Sequence, residues 1–140
     1  MVSRALVSKL IRVNVLVLDA SAQIRARLQA LLAEAGDVEV LEASNAEAAL
    51  SVLKAAEIDL VVLDVHLSTN GGVEVLRRIR HQAPRIVSVV LTNEASEHHR
   101  RECLSHGADF FFDKSRHFER VVAIVKHVAS RVSRQLAARS

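Results

Sequence analysis

Four consecutive apolar residues, Leu60-Val61-Val62-Leu63, run without alternation and end in a carboxylate, Asp64. A strand with one wet face alternates apolar and polar side chains. An unbroken apolar run of this length reads instead as a strand buried on both faces, the pattern of a parallel sheet covered by helices on either side. Further apolar runs flank it: Val13 to Leu18, Val38 to Leu41, Ile86 to Leu91, and the short Phe110-Phe111-Phe112. Between them lie stretches of helical spacing. Ile24, Leu28, Leu31, Leu32 and Ala35 share one face, with Ser21 placed as N-cap and Gly36 as the stop. Ala46, Ala49, Leu50 and Leu53 mark a second helix, capped by Ser44 or Asn45, and Val73, Leu76 and Ile79 a third, stopped before Pro84. Ala95 to His106 is the least apolar helix and ends at Gly107; Val121, Val125, Val128, Val132 and Leu136 line the last. Strands alternating with helices predict an α/β fold with a doubly wound, five-stranded parallel sheet.

The length of 140 residues fits one domain, 1–140, with its core over about 13–130. Beyond about Ser130 the last helix has only Val132 and Leu136 to bury, which suits a dimer contact or the stub of a linker. No apolar run approaches the ~20 residues of a membrane span. The start, Met1 to Arg12, is basic but has no long apolar stretch or small-residue cleavage site, so a cytoplasmic protein is expected. A single cysteine, Cys103, forbids an internal disulfide and fits a reducing compartment. The net charge of +3 is scattered, densest at Arg131, Arg134 and Arg139, and there is no Trp or Tyr to stack on bases. A solvated basic helix is therefore preferred to direct DNA or RNA binding. No Gly-x-Gly-x-x-Gly follows the first strand, which removes a dinucleotide-binding reading.

In a parallel sheet the C-terminal strand ends share one edge, where open α/β folds place their chemistry. That edge collects Asp19 after the first strand, Asp64 after the third, Thr92 at the end of the fourth and Lys114 past the fifth. Two carboxylates, a hydroxyl and an ammonium suit phosphoryl transfer to a carboxylate. Asp64 would be the nucleophile; Lys114 and Thr92 would meet the charge that spreads over the phosphoryl oxygens. A divalent ion would be held by acidic side chains and a backbone carbonyl, for which His66 is placed.

These segments resemble the receiver domain of bacterial two-component response regulators, the CheY-like family, over about Asn14 to Ala129. The matching stretches are Val15 to Ser21 with Ile24-Arg25, Asp59 to Asp64, Gly72 to Arg80, Val89 to Thr92, and Gly107-Ala108-Asp109 leading to Lys114. The resemblance implies a flavodoxin/CheY-like sheet in the order 2-1-3-4-5 and a signalling module rather than an enzyme. It implies Asp64 as phosphoacceptor, Thr92 as switch hydroxyl, Phe111 as switch aromatic and Lys114 as phosphoryl partner. It also implies Mg²⁺ at Asp19, Asp64 and the His66 carbonyl, a histidine kinase or phosphotransfer protein as donor, and an output partner or a homodimer through the last helix and its neighbours.

The chain departs from the family at several positions. Ala20 stands where a second acidic residue usually ligates the metal, so Mg²⁺ affinity should fall unless Asp19 or Glu94 compensates. Asn93 replaces the usual small residue after the Thr, while Ser115 and Ser68 replace prolines, which should loosen two loops. The alternative is a degenerate pseudo-receiver, an interaction or dimerisation module independent of phosphorylation. Two weaker patterns carry less. Asp64-Val65-His66 has Thr69 where a cobalamin motif needs Gly. His98, Glu102 and His106, at helical spacing, suit an exposed polar face better than a metal site. Cys103 on that helix is expected to serve packing.

Overall fold

The computed structural model describes residues 12–65 and 71–139. In chain order it forms β1 (Val13–Leu18), α1 (Ala22–Ala33), β2 (Val38–Ala43), α2 (Ala46–Ala55), β3 (Leu60–Leu63), α3 (Gly72–Gln82), β4 (Val87–Thr92), α4 (Glu97–Ser105), β5 (Phe110–Asp113) and α5 (Arg120–Arg139). The five strands are parallel, in the order β2-β1-β3-β4-β5. This is the doubly wound arrangement expected of the sequence.

The unbroken apolar run does what its pattern requires. Leu60 and Val62 enter one core layer, where α1 and α5 contribute Leu28, Leu32, Val121 and Val125. Val61 and Leu63 enter the opposite layer, with Ala49 of α2, Val75, Leu76 and Ile79 of α3, and Cys103 of α4. β1 divides in the same way, Val13, Val15 and Val17 facing one layer and Leu16 and Leu18 the other. On the last helix Val121, Val125 and Val128 are buried and Val132 packs at the margin; the side chain of Leu136 lies outside the described set.

Element ends follow local hydrogen bonding. Ser21 caps α1 through its hydroxyl and Asn45 caps α2. β2 runs two residues past Leu41, because Glu42 and Ala43 continue the ladder opposite Val17 and Leu18. Polar residues are tolerated there because β2 is an edge strand. Ile86 belongs to the turn before β4, its N–H donating to the Ala83 carbonyl. α4 starts at Glu97 because the Ser96 hydroxyl accepts from the His99 N–H. Gly71, at φ +68°, opens α3 against α2: a Cβ there would sit 3.0 Å from the Ala46 Cβ. Among the described residues no helix is long and apolar enough to cross a membrane.

Burial on both faces has a measurable consequence. Leu60→Ala and Leu63→Ala, which open cavities in opposite layers, should each lower stability by about 2–5 kcal/mol. Urea denaturation checks this. A strand with one wet face would show a large loss for one substitution and a small loss for the other.

Candidate functional site

Strand register assembles the acidic edge. Leu18 of β1 lies opposite Leu63 of β3, so the next residues, Asp19 and Asp64, leave the sheet side by side. The Asp64 N–H donates to the Leu18 carbonyl (3.0 Å) and the Asp19 N–H to the Ala43 carbonyl (3.1 Å), which fixes both backbones. Thr92 lies opposite Asp113, and the Lys114 N–H donates to the Thr92 carbonyl at 2.8 Å. Lys114 is thereby aimed back across β4 toward the two carboxylates.

The Lys114 ammonium bridges them. Its Nζ lies 2.7 Å from Asp19 Oδ2 and 2.9 Å from Asp64 Oδ2. All three residues are buried, at 6% exposure for Asp19, 8% for Asp64 and 8% for Lys114. Burial works against the charge on Lys114, but hydrogen bonds to Asp19 and Asp64 and the attraction of both carboxylates outweigh it and hold the lysine above its ordinary value of 10.5. Thr92 is fully buried at the end of β4, its hydroxyl accepting from the Glu94 N–H at 3.1 Å. Phe111 is half-buried in the core layer on the α4 side.

Asp19 is already engaged at both oxygens. Oδ1 accepts from the Ser21 N–H at 2.9 Å, and Oδ2 holds Lys114. Arg25 braces the same turn, donating to the Asp19 carbonyl at 2.7 Å and pairing with Glu42 of β2 at 3.0 Å. Ala20, beside Asp19, is exposed. His66, expected to offer its carbonyl, lies outside the described residues, as does Ser68. Among the described residues no group of three or more His, Cys, Asp or Glu is gathered as a metal cage. The pair Asp19 and Asp64 nevertheless suits Mg²⁺, which takes one or two carboxylates and completes its shell with water and phosphate oxygens.

The loop after Lys114 is tied rather than loosened by Ser115. Both its N–H (2.8 Å) and its hydroxyl (2.6 Å) donate to Asp113 Oδ1, and these bonds hold the Asp113 carboxyl below the usual carboxylate range. His98, Glu102 and His106 form a surface row on α4, with His98 and His106 at 3.6 and 4.0 Å from the Glu102 carboxylate. Cys103 is buried, and burial, then the charge of Glu102, pushes its thiol up to about 11, consistent with a packing role. A residue that the sequence pattern did not single out is His99, buried against Phe111. Its spacing of four from Cys103, both turned inward, was the available signal.

A model of the response regulator receiver domain matches residues 15–126. The autoinducer 1 sensor kinase/phosphatase LuxN of Vibrio campbellii is 35% identical over 84 residues, which covers 60% of this chain and 10% of LuxN. The phosphate regulon transcriptional regulatory protein PhoB of Pseudomonas aeruginosa is 32% identical over 120 residues, covering 84% of this chain and 52% of PhoB. The chain thus spans about half the length of PhoB and far less of LuxN. Among solved structures, a response regulator protein from Burkholderia pseudomallei with a phosphorylated aspartic acid, calcium ion and citrate superposes with a TM-score of 0.73 at 26% identity, covering 91% of this chain and 75% of that one.

Removing the bridging cation tests the electrostatics. Lys114→Met leaves two buried carboxylates without their shared cation and should cost about 3–5 kcal/mol at neutral pH. Because the folded lysine titrates above 10.5, its contribution is complete below that pH and fades as pH rises through the folded value. The stability gap between wild type and variant, measured by urea titration, should be flat from neutral pH to about 10 and narrow only above that. A gap that closes near pH 8 would contradict this account.

Proposed function

The chain belongs to the response regulator receiver domain family, and we propose that it acts as a phosphoaccepting switch, with Asp64 taking a phosphoryl group from a histidine kinase or a phosphotransfer protein. The observation that carries this reading is the Lys114 ammonium held 2.9 Å from Asp64 Oδ2 at a buried strand end. A nucleophilic carboxylate needs a fixed cation beside it, because charge on the phosphoryl oxygens must be met as transfer proceeds. The phosphorylated aspartic acid of the Burkholderia pseudomallei relative supports the same assignment.

An Asp64 carboxylate oxygen forms the new bond to phosphorus as the bond to the donor's imidazole nitrogen or acyl oxygen breaks, and the donor leaves with the electron pair. Asp19 and Asp64 would hold Mg²⁺, with the His66 carbonyl as a further donor; the bound ion supplies positive charge to the phosphoryl oxygens. Lys114, already between the carboxylates, pairs with the phosphoryl group. The Thr92 hydroxyl leaves the Glu94 N–H to donate to a phosphoryl oxygen. The phosphoryl group carries about −1.5 to −2 charges by analogy with phosphoserine, in place of the single charge of the carboxylate it consumes, and this draws both groups inward. Phe111 then reorients, and the α4, β5 and α5 surface passes the change to an output partner or to a second copy. On this reading the chain is a cytoplasmic signalling module rather than an enzyme, with one receiver core over about residues 13–130.

One observation favours a second reading. Ala20 removes a carboxylate, and Lys114 already neutralises part of the pair that remains, so the chain would serve as a phosphorylation-independent interaction module. Incubation with a small acyl phosphate and saturating Mg²⁺ separates the two. The switch predicts a phosphoryl mass increment that Asp64→Asn abolishes; no increment on the wild type selects the pseudo-receiver. A second prediction concerns the missing ligand. Ala20→Asp should tighten Mg²⁺ binding at least about tenfold, since even water-screened attraction between a carboxylate and a divalent ion ~4 Å apart is about 2 kcal/mol. Calorimetric titration checks it, and unchanged affinity would show that position 20 does not face the ion.

A further inference from the structure

His99 is a buried histidine outside the acidic site. It is 2% exposed on the inner face of α4, with its ring edge-on to Phe111 at a centroid distance of 5.5 Å and an interplanar angle of 74°. Its Nε2 lies 3.9 Å from the Cys103 Sγ, one helical turn on. Its Nδ1 is buried and makes no hydrogen bond. Whichever ring nitrogen carries the hydrogen, Nδ1 keeps a donor or an acceptor unused, and a buried polar group without a partner disfavours the arrangement that buries it.

Two effects therefore meet in one side chain. The edge-to-face contact favours Phe111 where it is, since such ring pairs stabilise beyond the area they bury. The Nδ1 atom favours any arrangement in which α4 lifts enough to admit water. A phenyl side chain would give the first effect without the second, so histidine makes the packing of α4 less secure than its surroundings allow.

We propose that His99 is a positioning residue that sets how readily α4 leaves its resting place: its ring holds Phe111, and its unpartnered Nδ1 keeps the α4–β5 contact poised to open. The coupling to Asp64 rests on the phosphoacceptor reading, because only a phosphoryl group there would pull Thr92 and release Phe111. The local part does not depend on that reading.

The test uses the full chain and amide hydrogen exchange resolved by residue. Without any phosphodonor, His99→Phe keeps a ring against Phe111 and removes both nitrogens. Amides of α4 should exchange about tenfold more slowly than in wild type, the equivalent of one buried polar group no longer left unsatisfied. His99→Leu removes the same nitrogens with less bulk and should also slow them. If both variants exchange α4 faster than wild type, match it, or fail to fold, Nδ1 is not the strained group and the proposal is overturned. For the ring contact, His99→Ala and Phe111→Ala should be non-additive in their effect on α4 opening by about threefold or more; additive effects overturn that half. With acyl phosphate present, phosphoryl occupancy of Asp64 is read by mass in the same samples. At equal occupancy, α4 exchange should accelerate several-fold less in His99→Phe than in wild type, a change that a purely structural role would not produce. Zero occupancy in wild type would sink the phosphoacceptor reading while leaving the donor-free result to decide the role of His99.

Discussion

The Lys114 bridge to Asp19 and Asp64 is the interaction on which the acidic edge depends. Two carboxylates brought together at a buried strand end repel one another and lose hydration, and a shared ammonium is what makes their proximity tolerable. The bridge joins residues separated by 95 and by 50 positions in sequence. It forms only when β1, β3, β4 and β5 have all paired in register, because each strand delivers one of the parts or the backbone that aims it. Such a pair adds little net stability, since desolvation offsets attraction. What it contributes is a preset charge arrangement at the point where four strands end.

Ala20 changes the balance at that point. A third carboxylate would divide the attraction of Lys114 and leave a larger negative field. With two, Lys114 is held by both, Asp19 is engaged at each oxygen, and the Arg25 guanidinium ties the turn behind it. A cation entering the site has to share Asp19 and Asp64 with a lysine already in place. On the phosphoacceptor reading, Ala20 would thus leave a weaker metal site and, through the same charges, a tighter resting ion pair.

Some of this was legible in the sequence because burial leaves a pattern. Leu60 to Leu63 lacks alternation because each face meets its own core layer, so sheet type, helix placement and the strand-end position of Asp64 follow from one run of residues. The ends of elements were less legible, since they depend on partners the sequence does not show. Glu42 extends β2 only because Val17 lies opposite, and Ser96 delays the start of α4 by accepting from His99. The loop after Lys114 was expected to loosen without proline, but the Asp113 carboxylate ties Ser115 instead. His98 drew attention through its spacing with Glu102 and His106, while the buried histidine was its neighbour. A row of polar residues along a helix shows its wet face readily; a polar residue on the dry face is recognised only once the core beside it is known.

That dry-face histidine bears on which element can move. α3 buries Val75, Leu76 and Ile79 against the sheet, a wholly aliphatic contact. α4 buries His99 and Cys103, with Leu104 at the margin. Segments with few buried apolar contacts open at lower free energy than the core they lean on. On the phosphoacceptor reading, a charge change at the strand ends would act on a sheet packed into a core layer on each face, which leaves it little freedom to deform. Displacement would then concentrate in the neighbour with the weakest apolar attachment and an unsatisfied polar atom beneath it. On the phosphoacceptor reading, Thr92 would begin that route at the end of β4, Phe111 would continue it on β5, and His99 would be where it reaches α4.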